Sequence, residues 1–350
     1  MNFEQALNEY DYEYPEDAVA LVPAEPRDAA RLLVYDPNRG SVSFDTFRRL
    51  CCRLPQRSCV VFNETKVIPA RIEVEKPTGG RARVLFLRRV GKSSFEALAD
   101  RQLEPGSTVR VGDCGLLVES REQGRYVLTV ESGGSPLELC ESAGRMPLPP
   151  YLKRTPLPEE RLRERYQTVF ARETGSVAAP TASLHFTPRL MRDLEAAGHE
   201  VAFVTLHVNI GTFLPLKPEQ LESGELHQES YSISPQTARA IARAKSEGRP
   251  VVAVGTTVVR ALESAVREDG SLTLDGETRL FIRPGHRFRL VDGLITNFHV
   301  PKSSLMMLVS ALVGRETLLD LYGRAVKAGF RLFSFGDGML LLPRDRGGGE

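Results

Sequence analysis

The sequence predicts an α/β domain that is interrupted by a small all-β domain. From residue 146 onward, helical segments with clear start and stop signals alternate with short apolar segments typical of buried strands. Residues 72–145 instead contain short runs with period-two alternation, separated by Gly and Pro turns, which indicates a small antiparallel barrel or sandwich. The chain has 350 residues, which is enough for about two domains.

The first 71 residues are predicted to form strands and loops rather than long helices. Three prolines between Tyr10 and Pro26 exclude a long helix there. Residues 31–36 and 42–47 are typical of strands, and the turn DPNRG between them predicts a hairpin. Residues 59–72 begin with a short apolar run and continue with polar residues, which predicts a buried strand that ends in a loop.

Helices and buried strands alternate after residue 146, which predicts a mainly parallel sheet. The helix at 187–198 has the clearest signals, because Thr187 is a good N-cap, Pro188 follows it and Gly198 stops it. Further helices are predicted at 158–173, 234–248, 256–266, 303–313 and 317–329, and strands at 200–208, 250–255, 279–285, 288–298 and 330–342. The chain is thus divided into a discontinuous α/β domain (1–71 and 146–343), an inserted domain (72–145) and a disordered tail (344–350).

Composition excludes several classes of protein. The 46 Lys and Arg against 45 Asp and Glu give a net charge of +1, which excludes a histone-like binder but not a local basic face. No apolar run reaches the roughly 18 residues of a membrane span, and the acidic start lacks the apolar core of a signal peptide. We therefore expect a cytoplasmic protein without membrane contact. The 5 cysteines form no CxxC pair, which argues against a disulfide framework and a zinc site.

Common cofactor and nucleophile motifs are missing from the sequence. No G-x-G-x-x-G follows a strand, and GKSS at 91–94 lacks the first glycine of a P-loop because position 86 is Phe. H-E-x-x-H and G-x-S-x-G do not occur. The 6 histidines are scattered without a short ligand pair, so a metal-dependent hydrolase has little support and no metal is expected.

Polar residues instead follow the ends of predicted strands, where α/β enzymes place their sites. Thr256 and Thr257 begin a helix after VVAVG, where free backbone N–H groups favour a carboxylate or another anion. Arg260 lies one turn further on, and a plain N-cap with a surface arginine is an equally good interpretation. His207 ends an apolar strand, where a buried core histidine is the commoner case. Glu229 alternates with a histidine along one strand face and could be a base, a ligand or part of a surface pair.

Three further segments place polar groups in turns. Thr181 and His185 end the small-residue run SVAAPTASLHF and are expected to be exposed, which favours a functional role. Asn297 and His299 come before a proline turn in TNFHVPKSS. Asp337 lies in a tight Gly turn, where aspartate is usually structural.

Three arginine-rich stretches fit contacts with nucleic-acid phosphates made by part of the surface. They are residues 279–289, 152–167 and 81–89. For each stretch taken by itself, an ordinary solvated charged face is the better explanation.

Nine ordered segments, spread almost from one end of the chain to the other, resemble the S-adenosylmethionine:tRNA ribosyltransferase-isomerase family of queuosine biosynthesis. Among them are RYQTVFARETGSVAAPTASLHF (165–186), VVAVGTTVVRALES (251–264) and LFIRPGHRFRLVDGLITNFHVPKSSLMMLVSAL (280–312). The all-β segment matches only loosely. The resemblance implies a large irregular α/β barrel domain with an inserted small Greek-key-like β-barrel domain.

The resemblance also implies a reaction and its partners. S-adenosylmethionine is a co-substrate that donates its ribosyl group, and the acceptor is the 7-aminomethyl-7-deazaguanine base at the wobble position of tRNA. The products are epoxyqueuosine in tRNA, adenine and methionine. The sulfonium acidifies the adjacent C5′ hydrogen, so the site needs a base, an acid for adenine departure and exclusion of water, but no metal or redox cofactor. We expect a monomer.

Candidate site residues lie in the matching segments. His185, Glu229 and Asp337 are hypothesised to be the acid–base groups, since their side chains titrate or accept protons. The resemblance implies further substrate-binding residues, namely Arg27, Asp28, Arg31, Asn63, Arg71, Thr181, His207, Thr256, Thr257, Arg260, Asn297 and His299.

The chain departs from the family pattern at a few positions. Ser183 and Asn209 stand where the family has Gly, a costly change if those positions need positive φ. Val258 replaces a Ser, Lys66 an Arg, and the stretch around His286 lacks the usual aromatic residue. The alternative function is therefore a divergent relative that binds RNA without this activity or acts on another acceptor.

Overall fold

The computed structural model describes residues 2–209, 211 and 215–345. Of the predicted tail at 344–350, residues 346–350 lie outside the described part. The described chain forms one large sheet with helices on its faces, a closed six-stranded barrel and a small two-stranded sheet.

Within the described residues, the large sheet has nine strands and is mixed. In spatial order they are β15 (Asp275–Leu280), β13 (Glu225–Ile233), β12 (Glu200–Leu206), β3 (Cys59–Asn63), β14 (Val251–Val254), β16 (Gly293–Asn297), β17 (Gly338–Leu341), β1 (Arg31–Asp36) and β2 (Ser41–Thr46). Four of the pairings are parallel and four antiparallel, so the expectation of a mainly parallel sheet was wrong. The error has a physical cause, because β13, β15 and β17 return beside their neighbours without a crossover of the βαβ kind. The expected irregular α/β barrel is, in the described residues, a large mixed sheet with two ends, β15 and β2.

The centre of this sheet is buried on both faces. Cys59 and Val61 of β3 pack into one hydrophobic cluster, while Val60 and Phe62 pack into another. Successive strand residues point to opposite faces, so a strand covered on both sides must be apolar throughout. The apolar runs in the sequence reflect this double burial.

Helices cover both faces and most begin where the sequence predicts. They are α1 (Phe3–Asn8), α3 (Glu159–Arg165), α4 (Pro188–Ala196), α5 (Pro218–Ser223), α6 (Pro235–Ser246), α7 (Thr256–Ala265), α8 (Ser304–Val313) and α9 (Arg315–Lys327). Thr187 caps α4 by accepting from the Leu190 N–H at 3.1 Å. The helix predicted at 158–173 ends at Arg165, since Tyr166 is no longer helical, with a ψ of 34°. Gln167 beyond it accepts from the Val67 N–H and donates to the Val67 carbonyl.

The closed barrel is antiparallel and follows a Greek key. Its strands are β5 (Arg71–Glu75), β6 (Arg81–Arg89), β7 (Ser94–Ala99), β8 (Thr108–Val111), β9 (Cys114–Glu122) and β10 (Arg125–Val130). β5, β6 and β7 form a meander, and β8 then pairs with β5, the first strand of that meander. Helix α2 (Pro136–Ala143) packs Leu139 and Cys140 into the barrel core.

Short connections join the barrel to the large sheet. Arg71, at the start of β5, exchanges backbone hydrogen bonds with Arg145 just after α2. The two-stranded sheet pairs β4 (Thr65–Val67) with β11 (Glu173–Ser176).

None of the described helices has the length and apolar character needed to cross a membrane.

The last predicted strand, at 330–342, is only partly a strand. β17 covers Gly338–Leu341, and the residues before it form an irregular loop in which Phe333 has a φ of 68°. The Asp337 carboxylate holds this loop, since it accepts from the Arg31 N–H at 2.9 Å and the Arg331 N–H at 2.8 Å.

Candidate active site

Two cavities lie on either side of residues 207–209, here called the dividing segment. His207 and Asn209 contact a cavity of about 850 Å³, whereas Val208 contacts one of about 240 Å³. The alternation follows from the extended chain just beyond β12, whose successive side chains point in opposite directions. The Ser176 hydroxyl accepts from the Val208 N–H at 2.8 Å, which fixes the dividing segment against β11.

The smaller cavity gathers five of the predicted binding residues. They come from the turn before α4, the start of α7 and the end of β16: Thr181, Thr256, Thr257, Asn297 and His299. The Thr181 hydroxyl donates to Asn297 Oδ1 at 2.9 Å, and α7 begins immediately after Gly255, which has a φ of 95°. The first N–H groups of a helix lack intrahelical partners, so this end of the cavity suits a carboxylate.

His185 lies behind this cavity and supports it. The prediction that His185 is exposed was wrong: the residue is 4% exposed, and its ring stacks on Phe47 with centroids 4.1 Å apart. Asn297 Nδ2 donates to His185 Nε2 at 3.1 Å, because Asn297 Oδ1 is already occupied by Thr181. Burial lowers the pKa of His185 to about 3, so the ring is neutral at physiological pH and its Nε2 acts as an acceptor. Thr181, the other residue predicted to be exposed, is half-buried at the cavity wall.

His299 is also buried and neutral. Its Nε2 lies 3.2 Å from Thr296 Oγ1, and its Nδ1 lies 3.4 Å from the Tyr322 hydroxyl. Burial lowers the pKa of His299 to about 3. Its backbone carbonyl accepts from the Tyr12 hydroxyl at 2.6 Å, which ties the turn after β16 to the N-terminal segment.

Asn63, fully buried at the end of β3, forms hydrogen bonds to the elements that separate the two cavities. Its Oδ1 accepts from the N–H of Leu206 at 3.0 Å and of Thr65 at 3.2 Å. Its Nδ2 donates to the Leu206 carbonyl at 2.9 Å and to Thr257 Oγ1 at 3.2 Å. The amide therefore holds the residue before the dividing segment and touches the wall of the smaller cavity.

The larger cavity lies between the barrel and the edge of the large sheet formed by β13 and β15. Among the described residues, five cationic side chains line it: Arg88, Arg89, Arg125, Lys217 and Arg279. Two carboxylates line it as well, and one of them, Glu96, already binds Arg88 at 2.6 Å and Arg125 at 2.8 Å. Burial raises the pKa of Glu96, but the hydrogen bonds from both arginines outweigh burial and leave that pKa lowered. The lining therefore carries an excess of positive charge.

His207 faces this larger cavity and has a partner on the other side of its ring. Its Nδ1 lies 2.8 Å from the hydroxyl of the fully buried Thr65. Gly175 covers the ring so closely that a Cβ there would lie 3.0 Å from the imidazole. Burial lowers the pKa of His207, against a smaller opposite effect of Glu173.

Glu229 and Arg260 form a buried ion pair that contributes to neither cavity lining among the described residues. Glu229 also accepts from the Asn209 N–H at 2.9 Å, and Arg260 Nε donates to the Leu280 carbonyl at 3.1 Å. Arg260 Nη2 has no hydrogen-bond partner in the described chain. The pair therefore fixes the dividing segment through the bond from the Asn209 N–H to Glu229.

Asp337 and three predicted binding residues hold loops together away from the cavities. Arg27 donates to the carbonyls of Gln167 and Glu164, at 2.6 and 2.9 Å. Asp28 accepts from Arg48 Nε at 3.1 Å and from the Thr187 hydroxyl at 3.2 Å. Arg31 donates to a carbonyl of the α9 C-terminus, and its guanidinium lies 3.9 Å from the centre of the Phe330 ring.

Arg71 also has a structural partner, since its Nη2 donates to the Leu148 carbonyl at 3.1 Å. This contact lies where the barrel joins the large sheet. Across the described chain, no group of three or more His, Cys, Asp or Glu side chains is arranged to hold a metal ion.

Comparison with known proteins agrees with this architecture. The family model described as queuosine biosynthesis protein matches residues 7–341, which is nearly the whole chain. The chain belongs to this family.

Members of the queuosine biosynthesis family are similar to this chain over their full length. S-adenosylmethionine:tRNA ribosyltransferase-isomerase from Rubrobacter xylanophilus is 48% identical over 98% of this chain and 98% of its own. The protein of the same name from Heliobacterium modesticaldum is 45% identical over 95% of this chain and 98% of its own. The crystal structure of S-adenosylmethionine tRNA ribosyltransferase from Thermotoga maritima is 31% identical, with a TM-score of 0.56 over 95% of this chain and 100% of that one.

The departures from the family pattern fit the structure without backbone strain. Neither Ser183 nor Asn209 has a positive φ, so glycine is not required at either position. Val258 of α7 is fully buried in the hydrophobic core, where its two methyl groups take the place of a serine hydroxyl.

Sequence reasoning missed several residues of the site. Thr65 was missed, and the only local indication of its role is its position two residues after Asn63 at the end of β3. Arg125 and Lys217 gave no signal beyond charge, since a barrel and a sheet edge far apart in sequence bring them together, whereas Arg88 lies in the arginine-rich stretch 81–89.

Proposed function

We propose that this protein transfers and isomerises the ribosyl group of S-adenosylmethionine onto 7-aminomethyl-7-deazaguanine at the wobble position of tRNA. The products are epoxyqueuosine in tRNA, adenine and methionine. Family membership over nearly the full chain supports the reaction. The observation that carries its placement is the pair of cavities of different character on either side of the dividing segment.

The smaller cavity suits part of the donor. S-adenosylmethionine has a carboxylate, which the free N–H groups and hydroxyls at the start of α7 would bind through Thr256 and Thr257. The lining also includes apolar residues such as Val208 and Phe298, which exclude water from a reactive sulfonium. A volume of about 240 Å³ holds one end of the donor, and the remainder extends toward the dividing segment.

The larger cavity suits the acceptor nucleotide. Enzymes that modify a base extrude it from its stack, and anticodon loops are single-stranded and open to such capture. A volume of about 850 Å³ admits a nucleotide, and the excess of cations would bind its flanking phosphates. The barrel supplies Arg88, Arg89 and Arg125, so the proposed inserted domain at 72–145 would form one side of the tRNA site, and residues 1–71 and 146–343 the other. One chain supplies both cavities, so we propose that the monomer is active.

The chemistry follows from the sulfonium. Removal of the C5′ proton leaves an electron pair that the sulfonium stabilises. Adenine then departs with the electrons of its glycosidic bond and takes up one proton, which balances the proton removed from C5′. The acceptor amine bonds to the sugar, and epoxide closure expels methionine as a neutral thioether. The smaller cavity orients the donor by its carboxylate, which keeps the reacting carbons near the dividing segment.

The test is product formation by the purified protein. Incubation with S-adenosylmethionine and tRNA carrying the aminomethyl-deazaguanine base should release adenine and yield epoxyqueuosine, both measurable by mass spectrometry. Intact tRNA binding without either product would favour the divergent RNA-binding relative.

The placement of tRNA has its own test. Arg89→Glu should weaken tRNA binding at least 10-fold, since it replaces a cation that binds phosphate with an anion. The salt dependence of binding should decrease as well. Arg39→Glu is the matched control, because Arg39 is 83% exposed in the β1–β2 turn and lines neither cavity. Equal effects of the two substitutions would contradict the placement.

A further inference from the structure

We propose that His207 is a catalytic base of this reaction and that Thr65 holds it in its working tautomer. The inference rests on the proposed function and adds a role for one side chain. His207 joins the wall of the larger cavity to a fixed hydrogen-bond network behind it.

The reaction requires a group of this kind by charge balance. The donor is a sulfonium cation, and methionine leaves as a neutral thioether, so one proton must be released for each turnover. As the acceptor amine bonds to the sugar it becomes an ammonium, and one of its N–H bonds must break with the electron pair remaining on nitrogen. We assign that proton to His207 Nε2, from which it passes to the solvent of the larger cavity.

The contacts of Thr65 select the tautomer that can accept this proton. The Thr65 hydroxyl lies 2.8 Å from His207 Nδ1 and 3.5 Å from the Glu173 carbonyl. A carbonyl only accepts, so the arrangement that uses both contacts has Thr65 donating to Glu173 and accepting from Nδ1–H of His207. The lone pair of a neutral imidazole is then on Nε2, the nitrogen not engaged by Thr65. The same Nδ1–H bond persists when the ring is protonated, so Thr65 supports both states.

Other contacts restrict the ring and its backbone. Gly175 leaves no room for a side chain beside the imidazole, and the His207 N–H donates to the Ser230 carbonyl at 3.1 Å. Asn63 binds the Thr65 N–H and the backbone of Leu206, the residue before His207. It thereby fixes the backbone on both sides of the His207–Thr65 hydrogen bond. A base held in this way has its orientation set before the acceptor arrives.

Variants of matched shape test the assignment in single-turnover reactions with both substrates saturating. His207→Asn keeps an amide near the Nδ1 position and removes Nε2, so we expect epoxyqueuosine formation to slow by ~100-fold or more. The Kd values for tRNA and for S-adenosylmethionine should change less than about 3-fold, because contacts made in the ground state remain. Thr65→Val removes the hydroxyl at constant shape and should slow the reaction by ~10-fold. Thr65→Ser keeps the hydroxyl and should retain most of the wild-type rate.

Chemical rescue separates catalysis from a structural role. Imidazole added to His207→Ala should raise the rate in proportion to its free-base concentration, which a packing defect would not show. A rate for His207→Asn within about 3-fold of the wild type would overturn the proposal, as would the absence of rescue. A wild-type protein that yields neither adenine nor epoxyqueuosine would instead overturn the proposed function itself.

Discussion

Asn63 Nδ2 lies 3.2 Å from Thr257 Oγ1, and this hydrogen bond joins the end of β3 to the start of α7. The same side chain binds the backbone of Leu206, so three elements meet at one buried amide. The two cavities are thereby fixed relative to each other. Their spacing depends on a residue that contributes to neither lining among the described residues.

Replacing Asn63 should cost more stability than its size implies. Asn63→Ala leaves the Leu206 and Thr65 groups unpaired in a buried site, so we expect a loss of ~3 kcal/mol or more. Thr257→Val is the control, because it removes only one of the four contacts and should cost ~1 kcal/mol. Urea unfolding measures both, and equal losses would contradict this account of the network.

The Glu229–Arg260 pair should be sensitive to the loss of one partner. Glu229→Gln leaves the Arg260 guanidinium uncompensated in the core, and we expect a loss of ~3–5 kcal/mol. The double variant Glu229→Gln/Arg260→Gln removes both charges and keeps an acceptor for the Asn209 N–H, so it should be more stable than Glu229→Gln alone. A double-mutant cycle by denaturant unfolding decides; additive losses would show that the pair is not coupled.

Replacing Asp337 should reduce the stability of the protein more than it reduces the rate of the reaction. Its oxygens accept two backbone N–H groups from segments far apart in sequence, and an amide oxygen replaces only one of these acceptors. Asp337→Asn should therefore lower the free energy of unfolding by ~2 kcal/mol. Single-turnover rates measured well below the melting temperature test the acid–base hypothesis separately. A large loss of rate in fully folded protein would favour that hypothesis over the structural role.

Acid should destabilise the protein through its buried neutral histidines. The pKa values of His185 and His299 are lowered by burial to about 3, so between that value and the ordinary 6.5 the unfolded chain binds more protons than the native one. Stability then rises with pH in this window and is lost as pH falls below 6.5, by up to ~1.4 kcal/mol per pH unit for each ring.

Unfolding free energies from pH 7.5 to 5.0 measure this dependence. His299→Gln removes one titrating ring, so its slope should be smaller than that of the wild type. Identical slopes would mean that His299 does not contribute to acid sensitivity.

Much of the fold could be predicted from local patterns. The caps of α4 and α6, the doubly buried strands β3 and β14 and the alternation in the barrel are properties of neighbouring residues. The direction of strand pairing was not predictable in this way, since β13, β15 and β17 pair according to where the chain returns. The helix predicted at 158–173 was too long: the chain leaves the helix at Tyr166, and Gln167 then binds Val67, 100 positions away.

The candidate site was predicted in part. Thr181, Thr256, Thr257, Asn297 and His299 line one cavity. The last four lie at or just after the ends of β14 and β16, which are parallel neighbours in the large sheet, so their carboxyl ends lie at the same edge. A role of these residues in substrate binding stays a prediction. The resemblance to a family also identified the reaction from the sequence alone.

Only the tertiary structure decided which polar side chains face a cavity and which are consumed by the fold. His185 depends on Asn297, 112 positions away, and Asn63 depends on Leu206, 143 positions away. A buried polar group must find a partner, and the partner that satisfies it is set by the packing of whole elements. The sequence by itself therefore determined the elements, the apolar core and the family, because these follow from local periodicity and residue type. The tertiary structure determined that Asp337 holds a loop and that His207 faces the larger cavity, because hydrogen-bond partners are set by contacts across the fold.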